Sequence, residues 1–264
     1  MYNKTTRDIA LWNPATRQFR PLPKSSNGNP KVGYYHTDFV GIGFDVETKD
    51  YKVIKVSSLE PKTKQAALPL DRLPEVQIYC LSTNSWRLID SDFPAHCCIP
   101  LIGRSLNGIY FRQGVDYTPA DPIKRVILSF DLCKEKYQRV LLQIPENNLV
   151  QLESIGDKLA CITATMGCFG QYKVWMLNDF NTTKELWTEI YKFELRFSRI
   201  LSISWNGKFG LLMGNTLVLH NLVTGEFKNF GFGGINMYAL TANIYKESLV
   251  SVHANGSATK AISS

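Results

Sequence analysis

Short runs of alternating apolar and polar residues fill this chain, separated by clusters of Asn, Asp, Gly, Pro and Ser. Alternation of this kind marks half-buried strands, and the clusters mark turns. Residues 8–23 are the clearest case. Ile9 and Leu11 precede a turn at Asn13-Pro14-Ala15-Thr16, and Phe19 and Leu22 follow it. Trp12 before the turn and Phe19 after it are seven residues apart.

The same unit recurs. Tyr79 and Trp86, Phe130 and Tyr137, and His220 and Phe227 are each seven apart around a polar turn, while Trp175 and Trp187 are twelve apart around a longer one. A large residue on each arm packs across the strand pair, so these ten residues are read as structural, with Trp12 and Phe19 expected to pack. A strand opened by a turn signal precedes four of the hairpins, at 50–56, 107–111, 156–162 and 206–212. Another short apolar run precedes each of those, at 40–44, 99–102, 149–155 and 200–205. The anchors fall at 12, 79, 130, 175 and 220, a spacing that settles to 45 residues.

Four strands per period of this length predict an all-β, β-propeller-like fold with kelch-like four-stranded blades, about five in number. A β-sandwich would not require the same turn-plus-aromatic unit five times. The opening hairpin has no strand pair before it, and residues 235–252 supply strands with no hairpin after them. The two ends are therefore expected to share one blade and close the ring, which removes exposed sheet edges. The domain is drawn at 1–253, with 254–264 as a flexible tail.

Charge changes this picture little. The net charge is +7 and hydrophobic residues make up 44%, which suits a domain with a real core. The basic residues are scattered, without the clustered patch that nucleic acid would select. Apolar stretches such as 209–213 are too short for a membrane-spanning helix. The polar start of the chain predicts no signal peptide, so the three Asn-x-Ser/Thr sequons are not expected to matter and the six cysteines are read as reduced. His96-Cys97-Cys98 lacks a second ligand pair at metal-site spacing.

Catalytic signatures are missing. Gly41-Ile42-Gly43 alternates like a strand and no helix follows to cradle a phosphate. The four histidines are dispersed, and His220 occupies an aromatic position of the repeat. No catalytic residue, cofactor or metal is expected.

Binding is expected in loops on the rigid ring. The connections from second to third strand, at 57–75, 112–125 and 165–172, share one face with the connections between blades; the repeated turns lie on the other. Two of these loops are long and carry Lys62, Lys64, Arg72, Arg112, Asp116, Tyr117 and Asp121, the candidate partner-binding residues.

These stretches can be compared with a known family. Residues 8–23 closely resemble the opening of the F-box-associated domain (type 1) of plant F-box proteins. Residues 41–45 with 50–54, then 79–87, 127–131 and 245–250, look like its later blocks, in order. Among subfamilies the chain looks most like the S-locus F-box type. The resemblance implies the substrate-recognition part of an SCF-type (cullin) ubiquitin ligase, working in the cytoplasm or nucleus and recruiting target proteins for ubiquitination. For the S-locus type the target would be an S-ribonuclease, in self-incompatibility. No F-box precedes Trp12, so a Skp-type adaptor and cullin are expected as partners only once an F-box is restored upstream. The alternatives are a propeller-fold enzyme and a glycan- or nucleic-acid-binding module; no membrane partner is expected.

Overall fold

The computed structural model describes residues 1–3, 6–25, 33–61, 74–90, 93, 103–116, 124–140, 149–164, 170–178, 187–194, 198–203, 208–213, 216–221, 223–231 and 247–253. Every regular element among them is a strand. A two-stranded hairpin, β1 (Ala10–Asn13) and β2 (Gln18–Pro21), comes first. Four four-stranded antiparallel sheets follow, each pairing its strands in chain order. The first blade is β3 (Gly33–Asp45), β4 (Asp50–Pro61), β5 (Glu75–Cys80) and β6 (Ser85–Ile89). The second is β7 (Arg104–Leu106), β8 (Ile109–Asp116), β9 (Lys124–Asp131) and β10 (Lys136–Val140). The third is β11 (Leu149–Ile155), β12 (Lys158–Ala164), β13 (Gln171–Leu177) and β14 (Trp187–Glu194). The fourth is β15 (Ser198–Ile203), β16 (Lys208–Met213), β17 (Thr216–Asn221) and β18 (Phe227–Asn229).

The alternation of side chains explains how the sheets stack. Each strand points successive residues to opposite faces, and each of the first three blades feeds two cores. Val126, Leu128 and Phe130 on β9, with Leu132 in the turn that follows, pack with Ile54, Val56, Val76 and Ile78 of the first blade. Ile127, between them, packs instead with Leu152, Leu159 and Cys161 of the third blade. On β12, Ala160 and Ile162 turn the other way, onto Ile200 of the fourth blade. On the far side of the first blade, Val53, Tyr79 and Leu81 meet Ile9, Leu11 and Leu22 of the hairpin. Burying each large apolar side chain in these layers contributes about 1.5–3 kcal/mol.

The first strands of the blades adjoin one another, β3 with β7, β7 with β11 and β11 with β15. They form the inner wall of the ring. The first and second blades come especially close. A Cβ on Gly41 would lie 2.5 Å from the Tyr110 ring, and one on Gly43 would collide with the Leu132 side chain. These glycines are therefore packing residues; their spacing serves the approach of two sheets.

One turn geometry repeats on one face of the disc. Residues 17, 49, 84, 135 and 225 each occupy the fourth place of a four-residue turn with positive φ, between 51° and 72°. In four of these turns an Asn or Asp ends the first strand and its Oδ1 accepts the amide two residues on: Asn13 from Ala15, Asp45 from Glu47, Asp131 from Cys133 and Asn221 from Val223, at 2.9–3.1 Å. Such side-chain turns are why Asn and Asp dominate the sequence clusters. The turn sets the register, so the residues seven apart stand directly opposite: Trp12 with Phe19, Tyr79 with Trp86, Phe130 with Tyr137, and His220 with Phe227.

Three expectations differ from what forms. Trp175 and Trp187 do not face each other: a bulge between Val174 and Trp175 sets Trp175 opposite Glu189, and Trp187 opposite Leu177. The apolar run at 99–102 lies outside the described residues, and the first described strand of the second blade is Arg104–Leu106. Strands β4 and β8 run on into the stretches read as loops, to Pro61 and Asp116. Trp12 and Phe19 are 56% and 54% exposed, because Ile9 and Leu11 claim the covered face of β1 and a residue one step out of phase must point away.

Of the closing segment expected at 235–252, residues 235–246 lie outside the described residues. Residues 247–253 lie against β1 and β2 as a strap held by side chains. Asn13 Nδ2 donates to the carbonyls of Ser248 (2.7 Å) and Val250 (2.8 Å). Arg20 donates to the Val252 carbonyl at 3.0 Å, and the Val252 amide donates to Gln18 Oε1 at 3.0 Å.

Candidate functional site

The antiparallel meander fixes two faces. Turns from first to second and from third to fourth strand open on one, here the turn face; the remaining connections open on the other. Five of the seven candidate partner-binding residues, Lys62, Lys64, Arg72, Tyr117 and Asp121, lie outside the described residues. Asp116 ends β8, paired with Lys124. Arg112 stands within β8, 3% exposed, with its guanidinium 3.8 Å from the centroid of the Phe39 ring. It is a buried cation stacked on an aromatic face and offers no surface to a partner.

The turn face and the ring axis hold the polar chemistry. At the axis, Arg104 on β7 makes a two-pronged ion pair with Glu153 on β11, Nε to Oε2 at 3.1 Å and Nη2 to Oε1 at 2.8 Å. Glu153 is 3% exposed. Gln151 bonds the same carboxylate and donates to the Leu201 carbonyl on β15 at 2.9 Å. Burial pushes the Glu153 carboxyl up from its ordinary value, and the bonds from Arg104 and Gln151 oppose this. The group is thus engaged on both oxygens and ties three inner strands together.

On the turn face, Lys52 Nζ bonds Asp45 (2.8 Å), Glu135 (3.0 Å) and the Leu132 carbonyl (2.7 Å), and Arg87 also pairs with Glu135. Burial would raise the Asp45 carboxyl, but it is outweighed by hydrogen bonds from Lys52, Thr48 and Glu47, which hold it down to about 2. This cluster staples the first blade to the second. His220 stacks on Phe227 with ring centroids 4.0 Å apart, and burial lowers its pKa.

The feature suited to a partner is a groove, on the order of one aromatic side chain in size at about 220 Å³. Its walls come from three separate parts of the chain: Leu11 and Trp12 of the hairpin, Ile42, Tyr51 and Leu81 of the first blade, and Val250 of the strap. Asn13 and Ser251 add polar edges. Ile42 is 46% exposed, and Phe44 and Val46 continue the apolar strip along β3 and its turn. The strip exists because Gly41 and Gly43 take the covered side of β3, leaving the large residues on the open side. Contiguous exposed apolar surface of this kind marks interaction sites. Sequence reasoning passed over it: the alternation of 41–45 was legible, but which side stayed open was not.

This is a β-propeller domain in which, among the described residues, the ion pairs of Arg104 with Glu153 and of Lys52 with Glu135 join neighbouring blades. The chain belongs to the F-box-associated β-propeller domain family, whose model matches residues 1–230. Among curated relatives from Arabidopsis thaliana, F-box protein CPR1 is 27% identical over 205 residues, covering 70% of this chain and 47% of that protein. F-box protein At3g08750 is 27% identical over 181 residues, covering 67% and 44%. The chain thus spans less than half the length of these relatives. Among solved structures, TolB from Acinetobacter baumannii is similar over 89% of this chain and 52% of its own, at a TM-score of 0.46 and 13% identity.

Proposed function

We propose that this domain is the target-recognition part of an SCF-type ubiquitin ligase subunit, holding a protein for ubiquitination in the cytoplasm or nucleus. The family match over residues 1–230, with relatives named F-box proteins, carries this reading. The groove supports it, since a receptor needs an accessible apolar contact surface. An enzyme on the same fold is disfavoured by the axial carboxylate Glu153, which is held by Arg104 and Gln151. The narrower S-locus reading, with an S-ribonuclease as target, sits poorly with a net charge of +7, because like charges slow encounter with a basic protein.

The test joins the chain to an upstream F-box and measures co-purification of a Skp-type adaptor and cullin, then ubiquitin transfer to captured proteins. Adaptor binding should require the F-box, and target capture should require only the propeller. Robust adaptor binding by the chain without an F-box, or no target captured by the joined protein, would overturn the reading.

A further inference from the structure

We infer that Asn13, Gln18 and Arg20 form a seat for the main chain of an extended polypeptide, and that the strap is its exchangeable occupant, giving way to an extended segment of the target. This rests on the receptor reading above. Four hydrogen bonds join the strap to the hairpin, and in each a hairpin side chain meets a strap main-chain atom. Asn13 donates to the carbonyls of Ser248 and Val250, Arg20 donates to the carbonyl of Val252, and Gln18 accepts the amide of Val252. The bonded residues, 248, 250 and 252, follow the two-residue period at which an extended chain repeats its orientation. On the hairpin, the register sets Asn13 opposite Gln18 and Leu11 opposite Arg20, so the three polar side chains share the covered face.

Main-chain groups are common to every sequence, so such a seat selects the shape of a segment over its side chains. The strap's side chains contribute little to this contact. Leu249 is 87% exposed, Glu247 and His253 are exposed, and the hydroxyls of Ser248 and Ser251 accept amides of the strap itself, from Val250 and His253. Val252 packs against the core between the hairpin and the first blade.

The seat stands without its occupant. β1 and β2 pair with each other, Ile9, Leu11 and Leu22 pack on Val53, Tyr79 and Leu81, and Trp86 Nε1 donates to the Pro23 carbonyl at 2.7 Å. Asn13 Oδ1 accepts the Ala15 amide within its own turn, which aims Nδ2 at an incoming carbonyl in advance. The affinity for an outside segment is then scaled by the fraction of seats that the strap leaves open.

The test is binding of a labelled peptide of residues 247–253 to the full chain, read by fluorescence anisotropy. Val252→Pro in the chain removes the amide that Gln18 accepts and leaves the seat whole, so that chain should bind the peptide at least about tenfold more tightly than the unaltered one. A peptide carrying Val252→Pro should not bind, and one carrying Leu249→Ala should bind as before. Asn13→Asp added to the Val252→Pro chain keeps the turn bond but removes the donor, and should abolish binding. If Val252→Pro fails to fold, Val252→Gly, which gives up the packing of that side chain, serves instead. Equal affinity for both chains, binding that survives Asn13→Asp, or binding lost with Leu249→Ala would overturn the inference. Dimerisation of the Val252→Pro chain in place of peptide binding would also overturn it, by making a second copy the occupant. Target capture by the joined protein that neither rises with Val252→Pro nor falls with Asn13→Asp would remove exchange from recognition yet leave the receptor reading standing.

Discussion

Asp50 accepts two hydrogen bonds from Ser82, one from the amide at 3.1 Å and one from the hydroxyl at 2.6 Å, across 32 residues of chain. The turn after Cys80 is the one four-residue turn of the five whose first strand ends without Asn or Asp. Asp50, on the neighbouring strand β4, performs from outside what Asn13, Asp45, Asp131 and Asn221 perform from within. Replacing Asp50 with Ala should therefore destabilise the domain by about 1.5–3 kcal/mol, the range for hydrogen bonds to a charged group. Urea denaturation measures it. Adding Cys80→Asp to that variant should recover part of the loss, because the turn then regains an internal acceptor. If the second change restores nothing, Asp50 acts through some other contact.

Gly41→Ala should cost about 1–3 kcal/mol, the range for overpacking a tight core. The added methyl would meet the buried Tyr110 ring, which has no room to retreat. Ile42→Ala, one residue along and on the open side, should cost clearly less. Thermal melts of the two variants side by side decide whether the narrow approach of the blades is rigid.

Acid should release the staple on the turn face. The Asp45 carboxyl titrates near 2 in the folded protein, below its ordinary 3.8. A depressed carboxyl stabilises the fold above its unfolded value and loses that contribution as pH falls. The loss should therefore develop from about pH 4 down through pH 2. Asp45→Asn should flatten stability across that window. Lys52, raised from its ordinary value despite burial because Asp45 and Glu135 bond it, adds stability below 10.5 that is lost as pH rises through its folded value.

Arg104→Met should be among the more damaging substitutions, at about 3–5 kcal/mol, since it leaves the buried Glu153 carboxylate without its counter-charge. The double change Arg104→Met with Glu153→Met should be far milder, because two apolar groups replace the pair together. Chemical denaturation of both variants checks the sign of the difference.

Asn13→Asp isolates the strap. The Oδ1 that caps the turn is retained, while the two bonds to the Ser248 and Val250 carbonyls are lost and a carboxylate is set against those oxygens. The melting temperature should fall. Trp12→Ala, which trims an exposed side chain beside it, should leave the melt nearly unchanged and weaken target binding.

Much of this architecture was legible before any coordinates. Alternation and turn residues gave the hairpins, and the seven-residue spacing is the cross-strand register of a four-residue turn. What stayed hidden depends on partners far along the chain. Trp12 and Tyr79 look alike in sequence, but β5 is covered on both faces and β1 on only one, so Tyr79 is fully buried while Trp12 is exposed. The bulge beside Trp175 leaves no local mark in composition. Arg104 and Glu153 sit 49 residues apart, and nothing near either announces the other. The groove was missed for the same reason: its walls are assembled only when the ends of the ring meet.

The repeated turn has a last consequence. Non-glycine residues in the left-handed region are strained, yet Arg17, Lys49, Asn84 and Glu135 all occupy it. Fixed carboxamide and carboxylate acceptors of the frame hold the turns at 17, 49 and 135 from within, and Asp50 holds the one at 84. Arg17 and Lys49 project freely as a result, and such positions form a vocabulary that can be rewritten without disturbing the grammar. Residues at these positions can change while every blade keeps its place.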